Sequence, residues 1–198
     1  MMGALVTVFF LLFFSGAVLG HGSSRKQDKN CDSLMYRDLV SSKPQFSFRN
    51  IAYFNGERVY QYDSNSQKAV PEPEWENVED WDKESQIQKQ RGDFAIETLK
   101  EIMNISKKER DSHVLNGRIK CELCQNDATS GSWSYTYDGS PFIRFDKDKV
   151  AWIAEQPAAT TIKQKWEENP GAVNRAKEYL EKECIETLKK FRDYKKAN

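Results

Sequence analysis

Apolar and polar residues alternate from Phe46 to Phe54, the chain turns at Asn55-Gly56, and Arg58 to Tyr62 returns with Tyr60 and Tyr62 on one face. A period of two around an Asn-Gly pair predicts an antiparallel hairpin. Leu39-Val40 ahead of Ser41-Ser42-Lys43-Pro44 adds a short strand before it. Beyond Pro71-Glu72-Pro73 the period changes: Ile87, Phe94, Ala95, Thr98, Leu99 and Ile102 recur at helical spacing, which predicts one long amphipathic helix over Gln86–Met103. The pattern then begins again. His113 to Leu123 reads as a strand, Trp133, Tyr135 and Tyr137 alternate, Asp138-Gly139 turns, and Phe142 to Phe145 and Val150 to Ile153 supply two more strands. A second helical stretch carries Val173, Ala176, Leu180, Cys184, Leu188 and Phe191 on one stripe, with a break near Pro170. Strands followed by a helix, repeated, predict an α+β fold of two halves, about 31–110 and 111–198. Joined edge to edge, they form one sheet with both helices across a single face and a groove between the helices.

The first residues do not belong to this pattern. Ala4 to Phe14 is almost wholly apolar and is followed by Ser15-Gly16-Ala17-Val18-Leu19-Gly20. The run is too short to span a bilayer comfortably, and its small-residue end fits a secretory signal peptide over residues 1–20, which leaves a domain over 21–198. The chain ends in the charged stretch Lys189 to Asn198, where a lipid-anchor signal would need a hydrophobic tail. A secreted, extracellular protein without a membrane anchor is the expectation. Thirty basic residues balance thirty acidic ones, and without a basic excess a nucleic-acid partner is excluded.

Four cysteines in a secreted chain suggest two disulfides. Cys121 and Cys124 lie three positions apart on a strand, so they point to opposite faces and do not pair with each other. Cys184 sits on the apolar stripe of the second helix, which makes Cys121–Cys184 a staple between helix and sheet. Cys31 would then meet Cys124 beneath the sheet, with the first strand of each half at its centre. Zinc wants four ligands, and His21 and His113 are the only histidines, so neither a metal nor a cofactor is expected. With His113 the sole histidine of the folded region, no His-based nucleophilic triad suggests itself, and an enzyme is not expected. Asn104-Ile105-Ser106 is the single glycosylation sequon, placed where the first helix ends.

Glu79-Asp80-Trp81, Ser85 to Lys89, Glu97 to Lys100 and Ser112 to Arg118 resemble the first-helix and central-strand region of the MHC class I-like superfamily. Tyr135 to Gly139, Ala151-Trp152, Pro157-Ala158-Ala159, Lys163 to Glu167 and Arg175 to Cys184 continue the likeness. It is strongest to a branch whose members take fatty-acid-like ligands. The resemblance implies an eight-stranded antiparallel antigen-recognition platform topped by two long helices, with Cys121–Cys184 as the usual platform disulfide. Relatives generally add an immunoglobulin-like third domain, and the chain stops where that domain would begin. It reads as a platform-only member or a shortened form, and its residues imply nothing either way about a light chain.

Peptide-presenting members hold both peptide ends with polar side chains. Tyr36, Lys165, Trp166 and Tyr179 match those positions, but Ile102, Ile162 and Phe191 stand where the family places Tyr, Thr and Tyr. Each change removes a hydroxyl, and a buried peptide end left unpaired costs a few kcal/mol, about 2 or more. Presentation of peptide is therefore not expected. Arg91 interrupts the apolar stripe of the first helix and faces the groove. Read functionally, it meets the anionic end of a hydrophobic small molecule or fatty acid, a role the resemblance also implies, with Phe94, Trp133, Trp166 and Tyr179 as further ligand-binding residues. Read structurally, it pairs with a carboxylate on the facing helix. The alternative to a small ligand is an immune receptor of the natural-killer-cell type docking on the outer helix faces, where Lys83, Glu84, Lys89, Glu178 and Glu181 are taken as exposed.

Overall fold

The computed structural model describes residues 31–107 and 111–198, so the expected signal segment lies outside the described residues. Strands β1 (Cys31–Ser41), β2 (Ser47–Phe54), β3 (Glu57–Asp63) and β4 (Lys68–Pro71) precede helix α1 (Trp81–Ser106). Strands β5 (Val114–Cys124), β6 (Thr129–Tyr137), β7 (Ser140–Asp146) and β8 (Ala151–Ala154) precede helices α2 (Pro157–Glu167), α3 (Pro170–Glu178) and α4 (Cys184–Ala197). All eight strands join one antiparallel sheet in the order β4-β3-β2-β1-β5-β6-β7-β8, with the first strand of each half at the centre.

Both hairpin turns form as the sequence requires. Asn55 and Gly56 have φ of 50° and 88°, and Asp138 and Gly139 have 49° and 81°. Two successive positive φ values give the turn whose twist matches that of the strands it joins. Along β1, Leu34, Tyr36, Asp38 and Val40 are buried under the helices while Arg37 and Leu39 are exposed. A carboxylate at a core position hides this alternation from a hydrophobicity reading, which is why β1 is longer than the pattern suggests.

Helix α1 begins at Trp81 rather than Gln86, because Asp80 caps it: the carboxylate accepts from the Lys83 N–H at 3.1 Å. Its first turn is polar, so the apolar period does not register it. The second helical stretch is broken at Asn169-Pro170 as expected, and again by a π-helical turn over Tyr179–Glu183. Such wide turns are frequent at functional sites. Here Tyr179 borders the groove, Leu180 packs in the core, and Cys184 follows at once in bridging distance of the sheet.

Two disulfides form with the expected pairing. Cys31 and Cys124 are direct register partners on β1 and β5. Cys121 and Cys184 join β5 to α4, with Cα atoms 6.1 Å apart. The core is continuous from Trp75 and Phe191 at one end to Phe142, Ile143 and Phe145 at the other.

Candidate functional site

The groove between α1 and the α2–α4 segment holds two adjoining spaces. One, of about 510 Å³, lies over β1 and β5 and is bordered by Tyr36, Asp38, Tyr60, Glu84, Gln88, Arg91 and Phe191. The other, of about 400 Å³, is walled by Trp152, Trp166 and Ala176, with Lys165, Asn169 and Arg175 at its margin. Phe94, Trp133, Tyr135 and Tyr179 border both spaces. The five ligand-binding residues expected from the sequence are thus brought together: Arg91 in the first space, Trp166 in the second, and Phe94, Trp133 and Tyr179 between them.

The second space is an aromatic chamber. Trp152 and Trp166 meet edge to face at 4.7 Å between ring centroids, Trp133 and Trp152 at 5.7 Å, and Tyr135 and Trp166 at 5.6 Å. Edge-to-face rings brace one another, and their two side-chain torsions leave little freedom to collapse inward. Phe94 reaches from α1 to Trp166 on α2 at 5.8 Å and forms a roof, although 54% of its own surface stays exposed. Lys165 donates to Glu101 at 2.6 Å beside this bridge and ties the same two helices.

Arg91 is engaged on the floor. Its Nε and Nη2 donate to Asp38 Oδ2 at 3.0 and 2.6 Å, and its guanidinium lies 5.5 Å from the Tyr36 ring centroid. The partner is a carboxylate on β1, not one on the facing helix. Asp38 is 3% exposed and also accepts from Asn50 Nδ2 at 2.7 Å. Burial is the largest single influence and works against the charge on Arg91, but Asp38, Tyr179 and Tyr135 together outweigh it and raise its pKa above the ordinary arginine value. Burial also pushes the Tyr135 phenol up to about 12, with Asp38 adding to the shift.

The remaining carboxylates of the first space differ in their partners. Glu79 pairs with Lys190 at 2.8 Å, and Glu183 binds Arg175. Glu84 has no ion-pair partner among the described residues; its Oε1 accepts from Tyr60 Oη at 2.6 Å and Gln88 Nε2 at 2.9 Å. Glu84 is half-buried at the groove, which corrects its sequence reading as an outward, exposed charge, whereas Lys83, Lys89, Glu178 and Glu181 are exposed. The error came from periodicity: a carboxylate one turn before Gln88 looks like a solvated face until the tyrosine it holds is placed. Asp38 was equally hidden, although a carboxylate in phase with Leu34, Tyr36 and Val40 was a signal that a buried cation lay opposite.

Ile102 and Ile162 are fully buried, and Phe191, 1% exposed, brings only hydrocarbon to the border of the first space, so none of the three offers a hydroxyl to a ligand's ends. Among the described residues no cluster of His, Cys, Asp and Glu is placed to hold a metal ion, and no helix is long and apolar enough to cross a membrane. Asn104 is exposed in the last turn of α1.

An eight-stranded antiparallel floor under two helical walls, stapled from floor to second wall, defines an MHC class I-like platform. The chain belongs to that family: residues 32–198 match the family described as Class I Histocompatibility antigen, domains alpha 1 and 2. The branch that the sequence points to is that of zinc-alpha-2-glycoprotein. The chain is 39% identical over 170 residues to zinc-alpha-2-glycoprotein of Bos taurus, covering 84% of this chain and 57% of the relative. It is 42% identical over 153 residues to that of Homo sapiens, covering 76% and 51%. Major histocompatibility complex class I-related protein 1 of Rattus norvegicus is 31% identical over 196 residues, covering 94% and 55%. The chain thus spans about half the length of the curated relatives it matches.

Proposed function

We propose that the chain is a secreted, glycosylated binding protein that holds an elongated hydrophobic small molecule of fatty-acid-like shape in its inter-helix groove, with no catalysis of its own. Its role lies in lipid handling or immune recognition. The observation that carries this reading is the aromatic chamber of about 400 Å³ that opens into a space of about 510 Å³ where Asp38, Glu84, Gln88 and Arg91 add polar groups to an apolar lining. Preformed apolar pockets with a few convergent polar groups are the usual form of small-ligand sites, and these volumes fall in their range of about 300–1,000 Å³. The buried hydrocarbon at Ile102, Ile162 and Phe191 supports a ligand other than peptide. Secretion rests on the apolar opening of the sequence and on the disulfides, glycosylation on the exposed Asn104 sequon.

The test is displacement of a fluorescent polyene fatty acid from the purified protein, with native mass spectrometry of secreted material for a co-purifying lipid. Ala176→Trp, which fills the aromatic chamber from α3, abolishes probe binding if the chamber holds the chain. Equal binding by this variant, or no binding by either protein, removes the small-ligand reading.

Ile87 and Phe94 favour a second reading, since both stay about half exposed, at 47% and 54%, two turns apart on α1. Apolar side chains on the crest of the helix suit an immune-receptor contact. Surface plasmon resonance against natural-killer-type receptors, with Ile87→Asp as the disrupting variant, separates this reading from a groove ligand.

A further inference from the structure

Two acceptors in the space beside α1, Glu84 Oε2 and Gln88 Oε1, have no hydrogen-bond donor among the described residues, which bears on the head group a ligand can place there. Gln88 is 2% exposed and donates one of its two amide N–H groups to Glu84, while its Oε1 has no partner among the described residues. Because the nitrogen is fixed by donation to a carboxylate, the oxygen is fixed as the orphan acceptor. Both hydrogen bonds received by Glu84 fall on Oε1, and no cation answers its charge among the described residues. The cation of the space, Arg91, is already bound through two nitrogens to Asp38. A buried acceptor without a donor costs about 1–3 kcal/mol, so a bound head group that donates to Gln88 Oε1 gains over one that does not.

We infer that the groove selects an amphiphile whose head donates hydrogen bonds, a hydroxyl or an ammonium, to Glu84 and Gln88, and disfavours one that ends in a carboxylate. This rests on the small-ligand reading above and changes its chemistry, since the fatty-acid-like shape remains but the acid does not. A carboxylate brought beside Glu84 meets a like charge and offers nothing to Gln88 Oε1. The Nε and Nη2 of Arg91 are already committed to Asp38, so only the rest of the guanidinium is left for an incoming carboxylate. An ammonium, with three N–H donors, or the two hydroxyls of a glyceride head satisfy both acceptors and leave the Arg91–Asp38 pair untouched. The buried phenols of Tyr36 and Tyr60 are raised by desolvation first, and for both the charge of Glu84 counts for more than that of Arg91, so this end of the space is electronegative.

Calorimetry with three chains of equal length tests the inference on the folded wild-type protein: dodecanoate, dodecylammonium and the monoglyceride of dodecanoic acid. Dodecylammonium and the monoglyceride bind at least about tenfold more tightly than dodecanoate, as one charge-assisted hydrogen bond allows. Glu84→Gln removes most of the preference for the ammonium, and Gln88→Met, which keeps length and burial but deletes the orphan acceptor, weakens the monoglyceride with dodecanoate unchanged. Dodecanoate binding most tightly, or a preference that survives both variants, overturns the inference while leaving the groove as a lipid site. Absence of binding by all three chains overturns the small-ligand reading and this inference together.

Discussion

Asn in place of Asp38 leaves a charged guanidinium inside the platform with nothing to balance it. Breaking a buried pair in this way costs about 3–5 kcal/mol, so Asp38→Asn lowers the free energy of unfolding in urea by that amount. Replacing both members by hydrocarbon, Asp38→Leu with Arg91→Met, recovers most of the loss, because neither charge is then buried alone. If the double variant is as unstable as the single one, Arg91 contributes through packing and not through its charge. Asp38 has a further neighbour: a Cβ added at Gly117 on β5 meets its Oδ2 and the Tyr135 ring at 2.9 Å each. Gly117→Ala therefore costs about 1–3 kcal/mol from overpacking, measured by thermal unfolding. Arg91 was legible as a cation on an apolar stripe, and Phe94, Trp133, Trp166 and Tyr179 as groove aromatics. Asp38, Glu84 and Gln88 were not, since a polar residue on a helix or strand reads as solvated until its partner in space is known.

Between elements, close approach matters more than local propensity. On α1, Gly92 sits where a Cβ would meet the Phe48 ring at 2.7 Å, which lets the helix rest directly on β2. Alanine is the better helix former by about 1 kcal/mol, yet Phe48 is fully buried and cannot swing aside. Gly92→Ala is expected to destabilise net by about 1–2 kcal/mol despite the gain in propensity, as urea unfolding would show. Unchanged stability would mean that α1 can lift from the sheet without loss. The other wall is held by Cys121–Cys184, which fastens α4 to β5 immediately after the π-helical turn. Both hairpins, the long first helix and the cysteine pairing could be read from period, turn chemistry and strand parity. The three-way division of the second wall could not. Proline announces the break at Asn169-Pro170, but the π turn has no local composition signal; it sets Tyr179 at the groove, Leu180 in the core and Cys184 at the bridge to the sheet.

At the scale of the molecule the groove is held open by its walls, with aromatic rings lining it and Gln88 Oε1 unpaired among the described residues. A ligand that fills it binds the folded chain and not the unfolded one, so occupancy must appear as stability. At a concentration one hundred times its dissociation constant, a single-site ligand adds about 2.7 kcal/mol. For a domain of this size, 1 kcal/mol moves the melting temperature by about 2–4 °C, so saturating dodecylammonium raises it by roughly 5–10 °C over protein extracted with organic solvent. Ala176→Trp already occupies the chamber, so its melting temperature is unmoved by the same addition. Secreted material that melts no higher before solvent extraction than after it would mean that the groove travels empty. The exposed crest of Ile87 and Phe94 would then be the surface through which the platform acts.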